Sequence, residues 1–485
     1  MAFTEAQEAS LLKIITAFEK GRRLSDLPEA KGDNPFGLYA EVLDTDGESK
    51  KSSLAALLPY LEEQVAYGVE IDITTGEVKR IGNMDLHRTL PVQSRIRGCL
   101  LDDDGKVVEY LHPLSWLDAV RDGSRGQVMN EIPMYYFKAY YPSATKYHVL
   151  ISEYPVPGYA QIRRNYLSAY EASLQRSTKK LASVVNTSED YRGGDNNTEW
   201  DGTYRSLLGR PATAISRGNY RTYARNRGTS GLNGCGWNCL TYDIYKSIYW
   251  LFVIEYATLD SQVAYNPELT AEGFRQGGLG GGVTNLESTK WANFNNRRPF
   301  IPCGYTDSLG NGTGVIPFTM PEEYDPEAAS PLVMNVPRYR GIENPFGHIW
   351  KWTDGINILV SPTVENGGND TSKVFVCYDP AKFNDTGYDG YSHVGNEARE
   401  SGFIKEIIGG ELGEIIPSVC TGASSSTFFY DIHYTSTSNT SDSLCGVLFG
   451  GSAYTGSNVG LACSDSSIAL SASYANHGSR LCFIP

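Results

Sequence analysis

Val447 to Pro485 reads VLFGGSAYTGSNVGLACSDSSIALSASYANHGSRLCFIP. Its opening run, Val447-Leu448-Phe449, is apolar and is closed by Gly450-Gly451; its closing run is Leu481-Cys482-Phe483-Ile484. Short apolar runs bounded by glycine predict buried strands. The residues between them are mostly Ser, Ala, Gly and Asn, with an occasional aromatic. They are too polar for a core and too numerous for a hairpin turn, so they are expected on the surface. A polar stretch framed by two core strands reads as a surface built for binding.

Composition narrows the class. At 485 residues the chain can hold two or more domains with cores of their own. A net charge of -14 argues against a general nucleic-acid binder. With 50 Gly, 32 Tyr and only 20% charged residues, the chain favours strands, loops and aromatic surfaces over helices. Tyr, Ser, Gly and Asn also dominate surfaces that recognise many partners. The start, MAFTEAQEASLLKIITAFEKGRR, lacks the basic run followed by an apolar run that marks a secretory signal. The longest apolar stretch, Ile248 to Ala257, carries Glu255 and is too short to span a bilayer. Synthesis in the cytoplasm without membrane insertion, with exit, if any, by another route, is the expectation.

The chemistry-bearing residues form no catalytic pattern. The nine cysteines include one close pair, Cys235-x3-Cys239, without further metal-ligand spacing, so neither a metal nor a cofactor is expected. No HExxH or GxSxG accompanies the seven histidines. Gln276 to Thr284 is glycine-rich but has no Lys before the Thr and no apolar strand leading in, which excludes a phosphate loop. Asp102 to Gly105 lacks the later ligands of a calcium loop and reads as a turn.

Along the chain, Leu11, Leu12, Ile14, Ile15 and Phe18 recur at helical spacing, predicting an amphipathic helix over 5–20. Residues 24–53 read as a loop or linker, and Leu54 to Tyr67 as a second helix. Val69 to Ile73 and Val78 to Ile81 flank Thr74 to Glu77 and predict a hairpin. Tyr135-Tyr136-Phe137 and Tyr147 to Ile151 read as strands, and 165–185 as a helix. The strongest helix signal is Leu240 to Leu259. Its Tyr242, Tyr245, Ile248, Tyr249, Phe252 and Tyr256 recur at three and four, which predicts one face laid on a sheet.

One run carries a family resemblance. Arg340-Gly341-Ile342-Glu343-Asn344-Pro345-Phe346-Gly347-His348-Ile349-Trp350-Lys351-Trp352-Thr353-Asp354-Gly355 resembles the N-P-x-G-x-x-W-E-W segment of the C-type-lectin-like fold shared with formylglycine-generating enzymes. Phe449-Gly450-Gly451-Ser452 resembles that family's R-G-G-S strand, and Gly478-Ser479-Arg480-Leu481 its closing G-F-R-V strand. The chain departs from the pattern at Lys351, Phe449 and Ser479. A closer resemblance is to the phage variable proteins of diversity-generating retroelements, tail-tip receptor-binding proteins of this fold. Its segments are Arg80 to Asn83, Gly126 to Met129, Trp250 to Tyr256, Glu272 to Gly278, Glu343 to Trp352 and the closing strand.

The resemblance implies an α+β chain in three parts. These are a helical N-terminal attachment segment (1–65), a β-rich region (66–160) and a C-type-lectin-like ligand-binding domain (161–485) with its variable region at about 447–485. It implies binding and no catalysis. The partners would be a protein or glycan receptor on the bacterial host, and other phage tail proteins through the N-terminal segment. A homotrimer on a virion tail fibre is expected, since repeated weak sites gain avidity. The diversified side chains expected to form one exposed patch are Tyr454, Thr455, Asn458, Asp465, Ser467, Ile468, Ser471, Ser473, Tyr474, Asn476 and His477. Adenine mutagenesis of an Asn codon cannot yield Lys, Glu, Gln, Trp or Met, and none occurs from Gly451 to Gly478, although none occurs from Ile415 onward either. Two alternatives remain. One is a bacterial cell-surface adhesin; the other is a formylglycine-generating-type enzyme, for which Cys463 and Cys482 would be the reactive pair.

Overall fold

The computed structural model describes residues 39–43, 49–53, 62–195, 206–293, 295–321, 331–436 and 440–485. The helix expected over 5–20 lies outside them. The chain is a mixed, strand-rich α and β protein with several sheets. Within the expected linker, Tyr39–Leu43 and Ser49–Ser53 pair as an antiparallel hairpin. The expected helix over Leu54 to Tyr67 is helical at 62–65 and then gives way, because Ala66 and Tyr67 already belong to the strand Ala66–Asp72.

That strand opens a five-stranded sheet in the order Ala160–Ile162, Tyr135–Ser143, Lys146–Ser152, Ala66–Asp72 and Val78–Gly82. The hairpin predicted from Val69 to Ile81 is present, with Val69 opposite Arg80. Tyr135, Phe137 and Ala139 point inward while their neighbours stay partly exposed, the period-two pattern of a half-buried strand.

A second, six-stranded sheet runs Trp237–Cys239, Leu481–Phe483, Asn165–Ser168, Gln127–Ile132, Arg97–Leu101 and Val107–Tyr110. Residues on both sides of position 160 therefore share one sheet, and one apolar core runs from Tyr67 to Phe483. Here the helix expected at 165–185 is overturned: Asn165–Ser168, Ser173–Gln175 and Lys180–Ala182 are strands. Ala, Leu, Glu and Lys in this stretch favour a helix locally. Tyr166 and Leu167, however, are buried on opposite faces and hydrogen-bonded between two neighbouring strands, and this packing overrides propensity.

The third sheet centres on Trp350–Val360, which pairs antiparallel with Ser372–Val376 on one side and Ser443–Phe449 on the other. A register shift between Thr353 and Ile358 bends it. Beyond Ser443–Phe449 lie Ser464–Asp465, Ile432–Tyr434 and Gly402–Phe403. His477–Gly478 pairs in parallel with Trp350 and Lys351.

The helix Tyr242–Tyr256 lies between this sheet and the first, touching Trp350–Val360, Ala66–Asp72 and Lys146–Ser152. It is buried on every side, not on one face as its spacing suggested, because a sheet covers each flank. Two charged residues are buried with it, and each is paired. Lys246 Nζ lies 3.2 Å from Glu414 Oε1, and Arg340 reaches Glu255 at 2.7 Å. Tyr242 and Tyr245 stack on Phe449, with centroids 6.1 and 4.6 Å apart. Ala257, in the left-handed conformation, ends the helix by donating to Val253 O.

The run 340–355 is scaffold. Glu343 accepts from Gly304 N, Thr306 N and Thr306 Oγ1, and its carboxyl is pushed up to about 7 by burial and the nearby Asp307. Lys351 is fully buried, donating to the carbonyls of Gly347 and Ile349. Its Nζ also lies 2.9 Å from Glu171 Oε1, a contact of charges without hydrogen-bond alignment. His348 Nδ1 lies 2.6 Å from the other Glu171 oxygen. Burial alone would raise the Glu171 carboxyl, but Lys351 and His348 bring it down to about 2. Arg221 grips both oxygens of Asp354, at 2.6 and 3.1 Å. The closing strand is tied to this run: Arg480 donates to the carbonyls of Glu343 and Asn344, and Ser479 Oγ to Trp352 O.

Candidate binding cleft

The stretch between Phe449 and Leu481 is not a free surface loop. Gly450 and Gly451, at φ of 81° and 63°, turn the chain out of its strand. Ala453, Val459, Leu461, Ala462, Cys463 and Leu470 then face inward. Ser464 and Asp465 pair with Phe449 and Leu448 on one side and with His433 and Tyr434 on the other. Runs of buried residues, 451–453 and 459–464, form a floor, and the more exposed side chains come from the segments between and after them.

Six of the eleven expected residues, Tyr454, Asp465, Ile468, Tyr474, Asn476 and His477, line one cleft of about 610 Å³. The other five, Thr455, Asn458, Ser467, Ser471 and Ser473, lie outside its lining. Tyr454 and Tyr474 are the open aromatic rims, at 42% and 58% exposure. Thr455, Asn458, Ser467, Ile468, Asp465 and Asn476 are half-buried, and Ser471 and Ser473 are exposed.

His477 is a correction: expected on the exposed patch, it is only 4% exposed. Its backbone forms the parallel pairing with Trp350, and its carbonyl accepts from Ala214 N and Tyr220 OH. Its ring meets Trp352 and Tyr474 edge-on, at 5.7 and 5.0 Å. Burial drives its imidazole down to about 4, so the ring is neutral at pH 7. Nδ1 is buried without a hydrogen-bond partner among the described residues.

Asp465 is held by Ser467, whose N and Oγ both donate to Oδ1, at 2.9 and 2.6 Å. Burial raises its carboxyl above the ordinary range despite those bonds. Burial likewise raises the Tyr454 phenol, so its hydroxyl keeps its proton.

Four further lining residues come from outside the 447–485 stretch: Ala292, Asn296, Arg297 and Trp350. Trp350 is core at 4% exposure, yet its remaining surface faces the cleft. Residues 284–286 are held against the 450–480 stretch by Leu286 N donating to Ala453 O at 2.6 Å and Gly456 N donating to Thr284 O. The rings of Trp291 and Tyr454 pack with centroids 6.0 Å apart. No local pattern in the sequence joins positions so far apart; only the tertiary fold does.

Elsewhere, Cys463 and Cys482 are both buried, and burial pushes both thiols up. Cys482 Sγ donates to Cys239 O at 3.0 Å. Among the described residues no group of three or more His, Cys, Asp or Glu is placed to hold a metal ion, and no helix is long and apolar enough to cross a membrane. The chain matches no model of a known protein family and no curated protein.

Proposed function

We propose that this chain is a receptor-binding adhesin of a phage tail fibre, with a C-type-lectin-like fold and a diversified C-terminal surface that attaches the virion to its bacterial host. The observation that carries the reading is the cleft: six positions spread from Tyr454 to His477 converge on it, above a floor of paired strands and buried apolar residues. A site whose outward side chains do not support the core can accept many residue types and still fold. The order of the Glu343 to Trp352 run, the Phe449 to Ser452 turn and the closing strand supports the fold assignment.

The enzymatic alternative would need a reactive thiol, and a thiol held protonated by burial is a poor nucleophile. In this reading the N-terminal segment joins other tail proteins and the chain works as a homotrimer. The test is attachment of fluorescently labelled protein to candidate host cells, comparing the parent with Tyr454→Ala and Tyr474→Ala. Weaker attachment by both variants with unchanged melting supports the reading; two variants that attach like the parent end it.

A further inference from the structure

Within the cleft, the wall contributed from outside the variable stretch carries an unneutralised cation. Arg297 is exposed, and its only side-chain hydrogen bond among the described residues is to Ser288 Oγ at 3.4 Å. No carboxylate pairs with it among the described residues, although the chain as a whole carries a net charge of -14. Guanidinium groups bind planar oxyanions in two-pronged fashion, which makes an open arginine in a cleft an anchor for a carboxylate.

The remaining lining calls for a ligand rich in small polar groups. Oδ1 of Asp465 is taken by Ser467, while Oδ2 receives no side-chain or backbone donor among the described residues. Asn296 and Asn476 bring amides, and Tyr454 and Tyr474 bring phenols on flat rings beside Trp350. Hydrogen-bonding groups and aromatic rings thus share the lining of a recess of about 610 Å³.

An extended peptide would instead seek a free strand edge. Among the described residues Ser464–Asp465 is paired on both sides and Trp350–Lys351 lies between Phe449 and His477–Gly478, while the outer side of His477–Gly478 is taken up in part by Ala214 N, which donates to His477 O.

We infer that the cleft binds an acidic sugar residue of a surface glycan, with its carboxylate on Arg297 and its hydroxyls on Asp465 and the two asparagines. The inference rests on the receptor reading above and deepens it. Because Arg297 lies outside the diversified stretch, every variant would keep the demand for an acid while the variable side chains choose which glycan carries it.

The experiment uses the full chain on an array of oligosaccharides ending in uronic or nonulosonic acids, each printed beside its carboxyl-reduced neutral counterpart. Binding is expected on acidic members, with a loss of about tenfold or more on carboxyl reduction and a similar loss in Arg297→Gln. Arg297→Lys should recover only part of it, since an ammonium lacks the two-pronged geometry. Absence of binding to every acidic glycan, equal binding to the reduced forms, or parent-like binding by Arg297→Gln overturns the inference. Cell attachment separates the two levels. Loss with Tyr474→Ala but not with Arg297→Gln leaves the receptor cleft standing and removes the acid subsite. No loss with either tyrosine variant removes the receptor reading itself.

Discussion

Tyr454 and Tyr474 stand at the mouth of the cleft with large rigid rings, little rotamer freedom to lose and a hydroxyl at the tip. Their replacement by alanine should weaken attachment to host cells by about tenfold or more, with a melting temperature within about 2 °C of the parent, as read by cell binding and calorimetry. His477 behaves differently because it is buried. Its imidazole falls from 6.5 in the unfolded chain to about 4 in the folded one, through burial. The unfolded state therefore binds the extra proton first. The stability this neutral ring contributes is complete above pH 6.5 and is lost as pH falls from 6.5 toward 4, by up to about 3 kcal/mol. His87 is lowered to about 4 for the same reason, whereas Glu343, raised to about 7, pulls the other way between pH 7 and 4.5. The contribution is therefore read by difference. In urea melts, His477→Gln should flatten the dependence of stability on pH between 4 and 6.5 relative to the parent.

At the scale of elements, the cleft depends on how firmly its strands are held. Phe449 is fully buried and stacks on Tyr242 and Tyr245 of the central helix, so Phe449→Ala should cost about 3–5 kcal/mol in chemical denaturation. Glu171 answers both Lys351 and His348 in a fully buried cluster. Glu171→Ala would strand Lys351 without its counter-charge and should also cost about 3–5 kcal/mol. The sequence announced some of these elements and hid others, for identifiable reasons. The strands at Val447 to Phe449 and Leu481 to Phe483 were legible because apolar runs between glycines have few other homes. The helix at Tyr242–Tyr256 was legible from its periodicity, but burial of Lys246 and Glu255 was not, since their partners Glu414 and Arg340 lie far away in sequence. The strands at 165–182 were misread because local propensity cannot register that Tyr166 and Leu167 sit between two other strands. Arg297 was invisible for the same reason: nothing near it in the chain marks it as facing Tyr454.

For the molecule as a whole, the proposed assembly is a homotrimer that multiplies a weak single site. Light scattering on the full chain at micromolar concentration is expected to give three times the 53.3 kDa chain mass; a stable monomer would contradict it. The order in which the sheets close has a further consequence. Leu481–Phe483 is not an edge strand but lies between Asn165–Ser168 and Trp237–Cys239. During synthesis that six-stranded sheet keeps a gap in its interior until the ribosome has passed Phe483, and so has read through the whole of the cleft-forming stretch from Gly450 to Arg480. A message interrupted by a nonsense codon anywhere in that stretch yields a polypeptide whose half-built sheet exposes unpaired backbone, which proteases remove. The last residues to be made are thus the ones that complete the sheet, and a chain cut short before them cannot close it.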